Sequence, residues 1–150
     1  MSTTTASRMS LNSTTLVHGV AGGLAGGVVF GVLMQMMDMM PMVAMLVGSE
    51  AVAVGWVVHL AISAFIGAAF VVLLGARVSS LGTGLGLGVA WGLVWWVLGA
   101  LVAMPARLGM PLFEINDMSL QSLMGHVVFG AVLGAVVAVM GGRGRTGTDA

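Results

Sequence analysis

Few side chains in this sequence can do chemistry. Histidine occurs three times, at 18, 59 and 126, and methionine fourteen times; cysteine and lysine are absent. Each histidine falls in one spacing, small-x3-His-x3-small-x3-Gly: Thr14-His18-Gly22-Gly26, Gly55-His59-Ser63-Gly67 and Ser122-His126-Gly130-Gly134. Residues four apart lie on one face of a helix, so each stretch presents a stripe of small residues bearing one imidazole. An imidazole can ligate a metal, relay a proton or hydrogen-bond across helices.

Catalysis has little to work with. Ser63 lies one turn after His59, but no acid in that stretch can orient the ring as a Ser-His-Asp arrangement requires. Its hydroxyl is expected to bond to the carbonyl one turn back. The run Gly82-x-Gly84-x-Gly86-x-Gly88 lacks the strand before it and the lysine after it that a phosphate loop needs, and no HExxH occurs. The absence of cysteine removes thiolate metal sites, iron–sulfur clusters and thiol nucleophiles. The reading is that the chain is not an enzyme.

Two constellations remain. His59 lies nine positions after Glu50, and His126 nine after Asp117, or ~13.5 Å of helix in each case. These two imidazoles should therefore be level with one another near the middle of the membrane, where an ionisable residue is a functional candidate. Facing rings could be the axial ligands of haem b. His18 enters from the other side and lies nearer its edge.

The second constellation is methionine, which crowds one predicted side at 34, 36, 37, 39, 40, 42, 45, 104, 110, 118 and 124. Thioether with imidazole is the soft ligand set that selects Cu(I), so Met36, Met37, Met39, Met40 and Met42 are candidates for a Cu(I) path. Methionine also serves simply as flexible apolar filler. The sequence requires no cofactor; haem b and copper are the two it could accommodate.

The elements that position these residues are membrane spans. The chain of 150 residues is 59% hydrophobic and 7% charged, with a mean hydropathy of +1.11. A soluble domain needs about a quarter of its residues charged, so this one belongs in a lipid bilayer. Net charge is zero, which leaves no basic patch for nucleic acid. About 20 apolar residues cross the hydrocarbon core, and four such runs are present, at 16–37, 51–75, 81–104 and 120–140. The expected fold is an all-α four-helix transmembrane bundle, forming one domain over 16–140. Disordered tails are expected over 1–15 and 141–150, and a short interfacial or re-entrant piece over 41–48 that Pro41 can begin.

Four spans put both termini on one side. Arg8, Arg77, Arg143 and Arg145 then share that side against Arg107 on the other, and the positive-inside rule places both tails in the cytoplasm.

Glycine supplies the packing. Gly19-Gly23-Gly27-Gly31 and Gly22-Gly26 form two stripes on the first span, Ser63 and Gly67 one on the second, Gly84-Gly88-Gly92 one on the third, and Gly130-Gly134 one on the fourth. Such spacing lets helix backbones approach closely in lipid. Two stripes on the first span imply two close neighbours, within the bundle or in a second copy. The first and fourth spans align on His18 and His126, sharing His-x-Val-x-Gly-x3-Gly-x-Val-Val. A repeat of helix pairs would be simpler, but the third span carries no histidine.

These residues identify no family. The reading that accounts for most of them is a non-catalytic packing or assembly subunit that self-associates or docks in a larger membrane complex. The alternatives are a haem b or Cu(I) protein using His59 and His126, and a small oligomeric transporter or channel.

Overall fold

The computed structural model describes residues 11–146, and side chains as far as residue 142. It is all-helical, with four helices long and apolar enough to cross a membrane. Helix α1 spans Ser13–Met36 and starts where the Asn12 side chain accepts a hydrogen bond from the Thr15 amide at 2.8 Å, a standard N-cap. Asp38, with φ of 54°, breaks the helix.

Pro41 then opens the short helix α2, Met40–Met45. Its missing N–H costs nothing in a first turn. Helix α3, Val52–Leu74, tightens into a 3₁₀ turn at Gly75–Arg77. Ser80 and Thr83 form a reciprocal capping box that starts α4, Leu81–Trp95.

From Trp96 to Ala103 the same rod continues as π-helix, a wider winding with i→i+5 bonds that is common at functional sites. Pro105 sits in the first turn of α5, Met104–Leu108, which ends on Gly109 at φ 69°, a left-handed position that glycine takes at no steric cost. Asn116 and Ser119 exchange side-chain and backbone bonds of 2.8 and 2.9 Å at the start of α6, Asp117–Thr146.

The spans agree with the sequence reading to within a few residues, with two corrections at the ends. Helix α1 starts three residues inside the stretch expected to be a tail. Helix α6 continues to Thr146, through a Gly141-Gly142 pair that disfavours helix. Residues 1–10 and 147–150 of the two expected tails lie outside the described residues.

The glycines set which helices touch. A Cβ added at Gly19 or Gly23 would run into the backbone of Gly67 or Ser63, and one at Gly27 into the Ser63 side chain. One at Gly31 would meet the Trp56 ring. This first stripe of α1 therefore seats α3. The second stripe, Gly22 and Gly26, seats Leu133 and Phe129 of α6. Both neighbours implied by the two stripes are found inside one chain. On the far side, Gly84, Gly88 and Gly92 of α4 interlock with Gly134, Gly130 and the His126 carbonyl of α6.

These contacts repeat. Gly19 and Gly67 face one another, as do Gly84 and Gly134, which lie 65 and 67 residues further along. Gly19 also meets Val71, and Gly84 meets Ala138, by the same offsets. Each half is thus a long helix, a short helix opened by Met-Pro (Met40-Pro41, Met104-Pro105), and a second long helix carrying a histidine at the equivalent place, His59 or His126. The helix-pair repeat, not the pairing of first with fourth span, describes the packing. His18 is the histidine without a counterpart: Thr83 occupies its place in α4.

Candidate functional site

The two halves do not close symmetrically. Helix α1 packs tightly along α6, whereas the equivalent pair, α4 and α3, scarcely meets. The residues explain it. Where α1 offers Gly22 and Gly26 to α6, α4 offers Leu87 and Trp91 to α3. Trp91 is wedged there, its indole N–H donating to the Ile66 carbonyl at 3.1 Å and its ring lying against Phe70 at 6.4 Å. Phe30 of α1 fills the gap left by Gly125; the equivalent positions of the other seam carry Trp95 and Val58, and Trp95 lies edge-on to Phe65, at 6.1 Å.

The seam held apart in this way adjoins a cavity of about 380 Å³ among α1, α2, α3, the π segment and α6. The π segment contributes only small residues to it, Gly99, Ala100 and Ala103. Their lack of bulk leaves the space empty. The walls are mainly apolar, and the polar exceptions are His59, His126, Ser63, Ser122 and the edge of Trp95.

The two imidazoles are held in defined roles. His59 Nε2 lies 2.8 Å from the Gly27 carbonyl and must donate to it. His126 Nδ1 lies 2.8 Å from the Ser122 carbonyl of its own helix and donates there. In the neutral ring the other nitrogen then carries a lone pair: Nδ1 of His59 and Nε2 of His126. Neither is sealed in by protein atoms, and both residues line the cavity. Phe30 packs edge-on against both rings, with centroids 5.4 Å from His59 and 4.9 Å from His126, so one side chain fixes the orientation of the pair. Ser63 donates to the His59 carbonyl one turn back, at 2.7 Å.

Four thioethers share the lining: Met34, Met39, Met42 and Met104. Of the five methionines proposed for a copper path, Met39 and Met42 reach the cavity. Met40 is fully buried, with its carbonyl against Gly55; Met37 packs on the core, and Met36 is 77% exposed on the outside of α1. Met34 and Met104 belong to the methionine-rich side read from the sequence but not to the five residues of the copper path, and Phe30 was not singled out at all. The repeated Met-Pro pair, 64 residues apart, is the signal that marks Met104.

His18 takes no part; its Nδ1 is buried without a hydrogen-bond partner among the described residues, and it lies outside this cavity. Trp95 Nε1 is likewise a buried donor with no partner among them, but Trp95 does line the cavity. A haem bound by both histidines would have to displace Phe30, which touches both rings. Among the described residues no three of His, Cys, Asp and Glu gather as a metal site.

A smaller cavity of about 60 Å³ adjoins the first through Met39, Met42, Met104 and Ser122, and is lined beyond them by Met110 and Glu114 of the connecting loop and Met118 of α6. Comparison with protein-family models, with curated proteins and with solved structures finds no match.

Proposed function

We propose that this four-span membrane protein binds a small neutral molecule inside the bundle, with His59 and His126 as paired hydrogen-bond acceptors. One observation carries the reading: each ring donates its only N–H to a backbone carbonyl, which leaves a free lone pair on each of two residues that line one apolar cavity. A pocket of 300–1,000 Å³ with a few convergent polar groups is the usual form of a small-molecule site. With no carboxylate on its walls, the site suits an uncharged guest, because a lone charge in low dielectric is costly.

Purified in mild detergent and extracted with organic solvent, the wild-type protein is expected to release a molecule in stoichiometric amount that the His59→Ala/His126→Ala protein lacks. Identical extracts from the two, both free of small molecules, would defeat the reading.

A second reading rests on the thioethers. Met34, Met39, Met42 and Met104, with two imidazole lone pairs and no acid, are neutral soft donors that favour a monovalent soft cation over Zn²⁺. The smaller cavity past Met110 and Met118 would lead Cu(I) to them. Titration of the purified protein with Cu(I) against a competing chelator decides this, and Met104→Leu with Met39→Leu should then abolish binding.

With both tails cytoplasmic, as the arginines suggest, the site occupies the outer half of the bundle. Self-assembly through glycine stripes finds less support, since those facing α3 and α6 are occupied within the chain.

A further inference from the structure

Resting on that reading, we infer that the guest is a lipid-soluble aromatic alcohol, a phenol or quinol, which enters sideways from the bilayer through the α3–α4 seam. The route follows from exposure. Ile62 and Phe65 both line the cavity, yet they are 39% and 63% exposed on the outer surface of α3. The cavity therefore reaches the surface at these residues. Phe65 lies thirteen residues into α3, about 20 Å along the helix, so the opening faces hydrocarbon rather than water. Leu87 and Trp91 keep the seam apart where the sister seam is closed by glycines.

The chemical class follows from the walls. Phe30, Phe65, Trp95 and Phe129 offer ring faces and edges on several sides, which flat aromatic guests match best. Two acceptor nitrogens call for hydroxyl donors on the guest. An apolar cavity of about 150 Å³ accepts one benzene ring; this one has room for a substituted ring and the first carbons of a tail, which would leave through the seam. A neutral guest satisfies the absence of charge.

The test uses the full chain in lipid nanodiscs and two probes, a benzoquinol bearing a ten-carbon chain and its dimethyl ether, which keeps the shape but lacks both O–H donors. Binding is read from tryptophan emission and from co-elution. The quinol should bind with an affinity set by its mole fraction in the lipid, and the ether at least tenfold more weakly. Ile62→Trp, which plugs the seam, should slow association at least tenfold, and Ala100→Leu, which fills the cavity, should abolish binding.

Equal binding of quinol and ether overturns the alcohol assignment. Binding lost in His126→Ala but with an unchanged association rate in Ile62→Trp overturns the lateral route and places the way in past Glu114, while the cavity reading survives. Binding that Ala100→Leu and His126→Ala both leave intact removes the cavity reading itself. A protein that is dimeric in nanodiscs with α3 and α4 protected, and that binds neither probe, shows the seam to be covered by a second copy and ends the proposal.

Discussion

Two glycines on one helix, two residues apart, should respond oppositely to the same substitution. Gly88 faces α6: an added Cβ would stand 3.0 Å from the carbonyl carbon of Gly130 and from Cα of Gly134, and closer still to the Gly130 oxygen. Those atoms are backbone and cannot swing aside, so Gly88→Ala has to push α4 away from α6. Overpacking of this kind costs about 1–3 kcal/mol, and a backbone obstacle favours the upper end. Gly86 lies 200° round the helix at 100° per residue and has nothing within 4 Å of an added Cβ. Gly86→Ala should only gain helix propensity, up to ~1 kcal/mol. Because Gly88→Ala receives the same gain, the difference between the two variants isolates packing, at about 2–3 kcal/mol, or roughly thirtyfold to a hundredfold in the folded-to-unfolded ratio. Reversible unfolding in mixed micelles, followed by tryptophan fluorescence, measures it. Gly130→Ala should match Gly88→Ala, since each meets the other's carbonyl, and the double variant should cost less than the sum, because the first substitution already parts the helices. A Gly88→Ala protein as stable as Gly86→Ala would refute the packing of α4 on α6 described above.

Three further outcomes are expected. Trp95→Phe removes a buried donor without a partner among the described residues, so the ligand-free protein should gain about 1 kcal/mol in the same unfolding assay; a loss would show that the N–H is satisfied. Asn12→Ala deletes the cap on α1 and should cost about 1 kcal/mol, with faster hydrogen exchange confined to the first turn after Ser13 and unchanged exchange at Gly23. Gly55→Ala presses on the Met40 carbonyl and should lift α2, so a water-soluble peroxide should oxidise Met39, 8% exposed, several times faster, while Met36, 77% exposed, reacts equally in both proteins. Unchanged protection of Met39 would mean that α2 does not depend on this contact.

The spans were legible in the sequence because length and hydropathy decide them without reference to neighbours. His59 and His126 were paired in the sequence by counting each from an acid near a helix start, and both residues line one cavity. What the glycines could not disclose was whose backbone they admit. A stripe specifies a close neighbour, not its identity, and the two stripes on α1 are used by α3 and α6 of the same chain. The histidine spacing was misleading for a related reason. It holds three times, but His18 shares only the spacing, and aligning on it hid the 64- to 67-residue repeat that Gly19, Met40 and His59 define. No sequence signal marks the π segment, where Trp96-Val97-Leu98-Gly99 reads as ordinary helix, so the cavity it opens could not be anticipated. The methionines were placed by side rather than by face, so Met34, which lines the cavity, and Met36, which is 77% exposed, stood together in one group of eleven.

The cavity is best understood as the place where two similar halves stop being alike. Two copies of the same helix pair, joined with both seams closed, would give a bundle packed solid by glycine, with a phenylalanine in each gap. One seam keeps that form: Gly22 and Gly26 admit α6, and Phe30 fills the space at Gly125. In the other, Leu87 and Trp91 stand where the glycines were, Val58 stands where Gly125 was, and Met34 has Gly99 as its counterpart. Bulk has been added at the seam and removed beside it. Overpacking one place and leaving another empty both destabilise a bundle held together by close contact, so this exchange is unfavourable as packing alone. It makes sense if the space is used. The same asymmetry reaches the histidines: His59 leans across to the Gly27 carbonyl of α1, while His126 turns back on its own Ser122. Restoring the lost symmetry with Leu87→Gly and Trp91→Gly should therefore let α3 close on α4, giving a protein at least as compact by hydrogen exchange but one that binds nothing between the two histidines.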